Sequence, residues 1–82
     1  MSDFDPVEMK RMRWRSRRGL LELDLVLERF LARRFDTLTG DQLLAYRTLL
    51  DLPDTDFLEV VNGKVDLDAP ELMEIVDMLR AI

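Results

Sequence analysis

The chain has 82 residues, no cysteine, no histidine and a formal net charge of −5 at pH 7. At this length a folded chain buries only roughly 60% of the surface that its unfolded form exposes, so we expect one small domain spanning residues 1–82. Without cysteine or histidine the chain lacks a thiol nucleophile, a thiolate metal site, and the commonest general base and metal ligand near neutral pH. These exclusions favour a binding protein with no metal site over an enzyme.

Charge is unevenly distributed along the chain. Residues 1–35 contain nine basic and six acidic side chains, a balance of +3, whereas residues 36–82 contain three basic and eleven acidic ones, a balance of −8. One end of the molecule can therefore favour anionic groups while the whole stays acidic. The start, MSDFDPVE, does not resemble a signal peptide, and the apolar runs are far short of the roughly 20 residues that span a membrane. We expect a cytoplasmic bacterial protein with no direct membrane insertion.

Proline and glycine divide the chain into five predicted helices, with each of the three prolines where a helix can begin. The first helix is predicted from about Pro6 to Arg17, although the alternation in residues 11–15 also fits a strand. On a helix, one face would carry Val7, Arg11, Trp14 and Arg18. The second is predicted from about Leu20 to Phe35, and its apolar stripe consists of Leu20, Leu23, Leu27, Phe30 and Leu31. Leu21 and Leu25 fall outside that stripe.

The last three helices carry start and stop signals. Thr39 and Gln42 predict a capping box for the third helix, and Asp68 and Glu71 predict another for the fifth. The fourth is expected to open at Pro53-Asp54 and to close at Asn62-Gly63. The predicted inward side chains of these helices are Leu43, Tyr46, Leu49, Leu50, Phe57, Leu58, Val61, Leu72, Ile75, Val76 and Leu79. Short connections make neighbouring helices mostly antiparallel, so the predicted fold is all-α, a compact single-domain five-helix bundle.

The stretch RSRRGLLELD, residues 15–24, concentrates charge beside a glycine. A structural interpretation is available: Gly19 would end the first helix or cap the second, and Glu22 at the third helical position could reach back to a free backbone amide. That interpretation needs only the glycine and the glutamate. It leaves the crowding of Arg15, Arg17 and Arg18 unexplained, so a binding surface is the competing hypothesis.

The basic run from Lys10 to Arg18 suggests an alternative function. Arginines interleaved with Trp14 could form a small nucleic-acid-binding module, in which the indole stacks on a base. The structural interpretation is a solvated helix face, with Trp14 covering the edge of the core. The acidity of the whole chain and the lack of a second basic segment favour this structural interpretation.

RSRRGLLELD closely resembles the Arg-Gly-x-x-Glu signature of the small SdhE-type FAD assembly factors, which promote covalent attachment of FAD to succinate dehydrogenase. The similarity continues through ERFLARRFDTLTGDQ and LLDLPDTDFLEVVNG and spans roughly residues 8–63. One departure is Val60, which stands where the family often has a tryptophan.

This resemblance implies an assembly chaperone, not an enzyme, that binds the flavoprotein subunit of succinate dehydrogenase, with that of fumarate reductase as a related second client. It implies that FAD is handled on the client, whose own histidine accepts the flavin, and that no cofactor is bound stably here. Carried over residue by residue, it makes Arg18, Gly19 and Glu22 the client-binding signature, with Arg17 and Asp24 as neighbours on the same surface.

Overall fold

The computed structural model describes residues 4–82, in which all regular structure is helical. Five α-helices follow in chain order: α1 Pro6–Arg15, α2 Leu21–Arg33, α3 Gly40–Leu49, α4 Asp54–Val61 and α5 Pro70–Arg80. A 3-10 turn, Phe35–Thr37, connects α2 to α3. The prediction of an all-α fold with five helices is confirmed. Residues 1–3 lie outside the described range, and with them part of the stretch on which the signal-peptide prediction rests.

Side chains close to the helix starts satisfy free backbone amides at α1 and α3. The Asp5 carboxylate accepts a hydrogen bond from the backbone N–H of Glu8 at 2.9 Å. Thr39 and Gln42 form the predicted capping box, in which each side chain accepts from the other residue's backbone N–H, at 3.2 and 2.9 Å. The capping box predicted for α5 is wrong, because that helix begins at Pro70 and its N-cap residue is Ala69, which makes no side-chain cap bond.

The first two helices are shorter than predicted. α1 ends at Arg15, where the N–H groups of Ser16 and Arg17 bond three residues back, to Arg13 and Trp14, at 3.3 and 3.2 Å. Such bonds tighten the last turn of a helix. The Ser16 hydroxyl donates to the carbonyl of Met12 at 2.8 Å. α2 ends at Arg33, since the chain tightens there into the 3-10 turn. No helix within residues 4–82 is long and apolar enough to cross a membrane.

The inward faces of α2 to α5 form most of the hydrophobic core. α3 packs against α5, and α2 contacts both α4 and α5. The predicted inward side chains are buried, apart from Leu20, Leu31, Leu58 and Leu72, which are half-buried and pack against the core. Leu21 and Leu25 are exposed, as their position outside the stripe predicts. α1 contributes one fully buried apolar side chain, Met12. Because its apolar contribution is so small, polar contacts must carry much of the attachment of α1.

One of these polar contacts joins α1 to the centre of the core through Tyr46. The Tyr46 ring lies between Phe30 and Phe35, with ring centroids 5.1 and 5.9 Å away. Its hydroxyl is 2.6 Å from the hydroxyl of Ser16. Since the single hydroxyl proton of Ser16 goes to the carbonyl of Met12, Tyr46 donates and Ser16 accepts. The hydrogen bond fixes the end of α1 over α3.

We expect stability to fall in alkaline solution because of Tyr46. Burial raises the pKa of Tyr46 from 10.0 to about 12. The folded state therefore holds this proton more tightly than the unfolded state does. The contribution of this difference to the free energy of unfolding is fully present below pH 10 and is lost as the pH rises through 12. Its full size is about 3 kcal/mol at 1.36 kcal/mol per pKa unit.

The absorbance of tyrosinate measures this directly, because Tyr46 is the single tyrosine of the chain. Urea unfolding at pH 8, 10 and 11 gives the matching stabilities, and Tyr46→Phe, which cannot ionise, should show a weaker dependence over the same range. A titration midpoint near 10 in the folded protein would contradict the prediction.

Candidate functional site

The predicted site lies at the junction between α1 and α2, where Gly19 has a left-handed backbone conformation. Its φ is +87°, a value that residues with a Cβ rarely adopt. The prediction that Gly19 ends α1 or caps α2 is wrong, because Ser16 and Leu20 hold those positions. Apart from its chain neighbours, no heavy atom lies within 4 Å of the place where a Cβ would stand. Gly19 is therefore an exposed position that another molecule can approach closely.

Asp24, and not Glu22, captures the free backbone amides of this junction. The Asp24 carboxylate accepts from the N–H of Arg18 at 2.7 Å and from the N–H of Gly19 at 3.1 Å. The capping role predicted for Glu22 is wrong: α2 begins at Leu21, so Glu22 is its second residue, and its N-cap makes no side-chain hydrogen bond. Asp24, one half-turn further on, is the residue that can reach back over the junction.

Arg18 is turned into the molecule, and its side chain is only 13% exposed. Its guanidinium donates to the Asp54 carboxylate at 2.7 Å and to the backbone carbonyl of Leu50 at 2.7 Å. A further N–H donates to the carbonyl of Leu52. One side chain thus ties the junction to the loop between α3 and α4 and to the first residue of α4. We call this set of bonds the Arg18 clamp.

Arg17 and Glu22 face solvent beside the clamp. Both side chains are exposed, and neither has a hydrogen-bond or ion-pair partner among the residues that the structure describes. Arg17 also lines a groove of about 520 Å³ that includes Asp24, Glu28 and Leu31 of α2. The five predicted site residues therefore divide into two groups. Arg18 and Asp24 hold the junction, whereas Arg17, Gly19 and Glu22 are available to a partner.

The basic run of α1 is divided in the same way. Arg13 pairs with Asp36 at 2.8 Å, and Arg15 pairs with Asp51 at 2.5 Å. These partners and Asp54 were not predicted from the sequence, because they are separated from their arginines by 23 and 36 residues. One available signal is that Asp36, Asp51 and Asp54 all lie at ends of predicted helices, where surface turns bring distant segments together.

The structure also places Trp14 and Val60, two residues that the sequence analysis singled out. Trp14 does not cover the core edge, since it is 77% exposed, and Met12 takes the inward position on α1. Val60 is buried, and its carbonyl accepts two hydrogen bonds from the Arg80 guanidinium, at 3.1 and 2.9 Å. Over the described part of the chain, no group of three or more acidic, histidine or cysteine side chains is arranged to hold a metal ion.

The clamp predicts that Arg18→Ala destabilises the protein while Arg17→Ala does not. Removing the guanidinium leaves two backbone carbonyls and a carboxylate without their charged donor, which should cost about 2–3 kcal/mol. For a domain of this size that lowers the Tm by about 10–20 °C. Arg17→Ala removes an equal charge from a neighbouring exposed site and should change stability by less than about 0.5 kcal/mol.

Thermal melts followed by circular dichroism compare the two variants. Arg18→Lys keeps the charge but cannot form the fork of bonds, so it should also be destabilised. If Arg18→Lys and Arg18→Ala both melted with the parent, the clamp would contribute nothing to stability.

Comparison with known proteins places this chain in a family. The profile of the family described as flavinator of succinate dehydrogenase matches residues 10–82. An FAD assembly factor SdhE of Ralstonia nicotianae is 38% identical over 82 residues, covering 95% of this chain and 86% of that protein. An SdhE of Legionella pneumophila is 42% identical, covering 94% of this chain and 96% of that protein. No solved structure matches. The chain belongs to the family of succinate dehydrogenase flavinators, to which its resemblance to SdhE-type factors already pointed.

Proposed function

We propose that this protein is an assembly chaperone that binds the flavoprotein subunit of succinate dehydrogenase and promotes covalent attachment of FAD to it. The observation that carries the proposal is the exposed Gly19–Glu22 surface, held in place by the Arg18 clamp in a chain of this family. The flavoprotein subunit of fumarate reductase is a related second client. The protein acts in the bacterial cytoplasm.

The geometry suggests how the surface engages its client. Gly19 has no side chain, so a client backbone can come close to the junction. Arg17 and Glu22 offer a cation and an anion to either side, and both can form charge-assisted hydrogen bonds. Arg18 and Asp24 act as positioning residues, because their polar atoms are engaged within the chain.

The chemistry itself belongs to the client in this proposal. The chain has no histidine to accept the flavin and no cysteine to act as a nucleophile. It would instead hold the flavoprotein and its FAD in the geometry in which the client attaches its own cofactor, without binding FAD stably itself. Orientation of reacting groups can accelerate a reaction strongly without a new reacting group.

The proposal is tested in cells that make the succinate dehydrogenase flavoprotein subunit with or without this protein. Covalent flavin stays on the denatured subunit and fluoresces in a gel, whereas bound but unattached FAD is lost. We expect covalent flavin to fall strongly when this protein is absent. An unchanged level would refute the proposed function.

Comparing Glu22→Ala with Glu71→Ala shows whether Glu22 contacts the client or only stabilises the start of its helix. Glu22 and Glu71 are each the second residue of their helix, are both exposed and occupy the first turn. Their alanine variants should lose the same small helix-dipole contribution, about 0.3–1 kcal/mol. We expect Glu22→Ala to bind the flavoprotein about thirtyfold more weakly, as a contact worth about 2 kcal/mol predicts, and Glu71→Ala to bind normally. Equal behaviour of the two would remove Glu22 from the interface.

Gly19→Arg should abolish client binding while Gly63→Arg leaves it intact. Gly63 at the end of α4 has a φ of +80° and equally open surroundings, so the two substitutions carry the same backbone strain. That strain costs about 1–2 kcal/mol in each case. Melting curves should therefore match, and pull-down of the flavoprotein subunit should differ. If Gly19→Arg bound the subunit as well as Gly63→Arg does, close approach at Gly19 would be disproved.

A further inference from the structure

The outer face of α1 exposes the one tryptophan of the chain. Trp14 is 77% exposed and Val7 is 59% exposed, and helical spacing places them on one face together with Arg11. Met12 points the other way into the core. A large aromatic ring that stays in water forgoes the stabilisation that burial would give it. Its position is therefore explained better by a partner than by the fold of this chain.

The cations beside Trp14 differ from the other cations of this region. Arg13, Arg15 and Arg18 are bound to carboxylates of the same chain, at 2.8, 2.5 and 2.7 Å. Lys10, Arg11 and Arg17 are exposed and have no ion-pair partner within residues 4–82. The unpaired cations thus accompany the exposed indole, and the paired ones fasten the helix to the rest of the molecule.

We propose that this outer face, formed by Val7, Lys10, Arg11, Trp14 and Arg17, is a second part of the client interface. It rests on the proposed function and extends it: Trp14 enters an apolar pocket of the flavoprotein subunit that is bordered by carboxylates. The surface is continuous with the junction, because the Trp14 carbonyl accepts from the Arg17 N–H at 3.2 Å, two residues before Gly19. Tryptophan and arginine are the residues that most often dominate binding energy at protein interfaces.

Other classes of partner fit this face less well. Nucleic-acid binding at physiological salt depends on many phosphate contacts, and this face offers three unpaired cations in a chain of net charge −5. A helix that lies in a lipid surface needs a continuous apolar face, whereas Arg11 lies between Val7 and Trp14. A protein pocket that accepts the indole and pairs with the surrounding cations accounts for the whole outer face.

Fluorine NMR can test the contact directly, because Trp14 is the only tryptophan. The protein is made with 5-fluorotryptophan and titrated with the unlabelled flavoprotein subunit. We expect the single resonance to shift and broaden, and to lose its sensitivity to exchange of H₂O for D₂O. A resonance that remains solvent-exposed in the complex would overturn the inference.

Matched variants measure how much the face contributes. Trp14→Ala should weaken binding of the flavoprotein subunit by about thirtyfold or more, and Leu44→Ala, which truncates an apolar side chain 47% exposed on α3, should not. Arg11→Glu should weaken binding and slow association, whereas Lys64→Glu makes the same change of charge on the acidic half of the chain and should have little effect. Thermal melts establish that the four variants are folded.

The outcomes distinguish this inference from the proposed function. If the unaltered protein neither binds the subunit nor raises its covalent flavin, both are wrong. If it does both and Gly19→Arg abolishes binding while Trp14→Ala binds normally, only the further inference is wrong. It is also wrong if Trp14→Ala spares the client but removes binding to single-stranded RNA or to phosphatidylglycerol vesicles.

Discussion

The first helix is attached largely by polar contacts, and the guanidinium of Arg18, just beyond its end, makes several of them. α1 buries only Met12 completely, so hydrophobic contact does little to fix its position. Arg18 instead bonds two backbone carbonyls and the Asp54 carboxylate in a largely buried setting, where such bonds are stronger than in water. The Asp24 carboxylate adds bonds from the N–H groups of Arg18 and Gly19, so Arg18 and Asp24 together hold the turn that precedes α2. The exposed residues beside Arg18 are therefore attached to a side chain that is itself bonded to three other parts of the chain.

Within one short segment, some residues stabilise the junction between α1 and α2 and others are exposed to a partner. Arg18 and Asp24 use their polar atoms within the chain, whereas the side chains of Arg17 and Glu22 have no partner within residues 4–82 and Gly19 has no side chain. A five-residue signature can therefore combine two physical requirements. The arginine of the signature supports the glycine and the glutamate, and loss of activity on its removal would report on the shape of the surface as much as on a contact.

Local features were predictable from the sequence and long-range polar pairings were not. The capping box of Thr39 and Gln42 and the apolar stripe of α2 depend on residues three or four apart, so spacing alone reveals them. The bond between Arg18 and Asp54 joins residues 36 apart, and ten arginines compete for seventeen carboxylates in the sequence. The error at Glu22 came from a helix start one residue later than predicted. The candidate site was predicted from the resemblance to a family, and only the structure could show which of its side chains are bonded within the chain and which are exposed.

The inward direction of Arg18 and the outward direction of Glu22 have different consequences for protein quality control. Chaperones and proteases act on the unfolded fraction, so a loss of 2–3 kcal/mol from a domain with about 5 kcal/mol in hand raises degradation and lowers abundance. A protein with a substitution at Arg18 would thus be less abundant in the cell. A change at Glu22 leaves folding intact, and the altered protein would accumulate at normal levels, undetected by any system that inspects only whether a chain is folded.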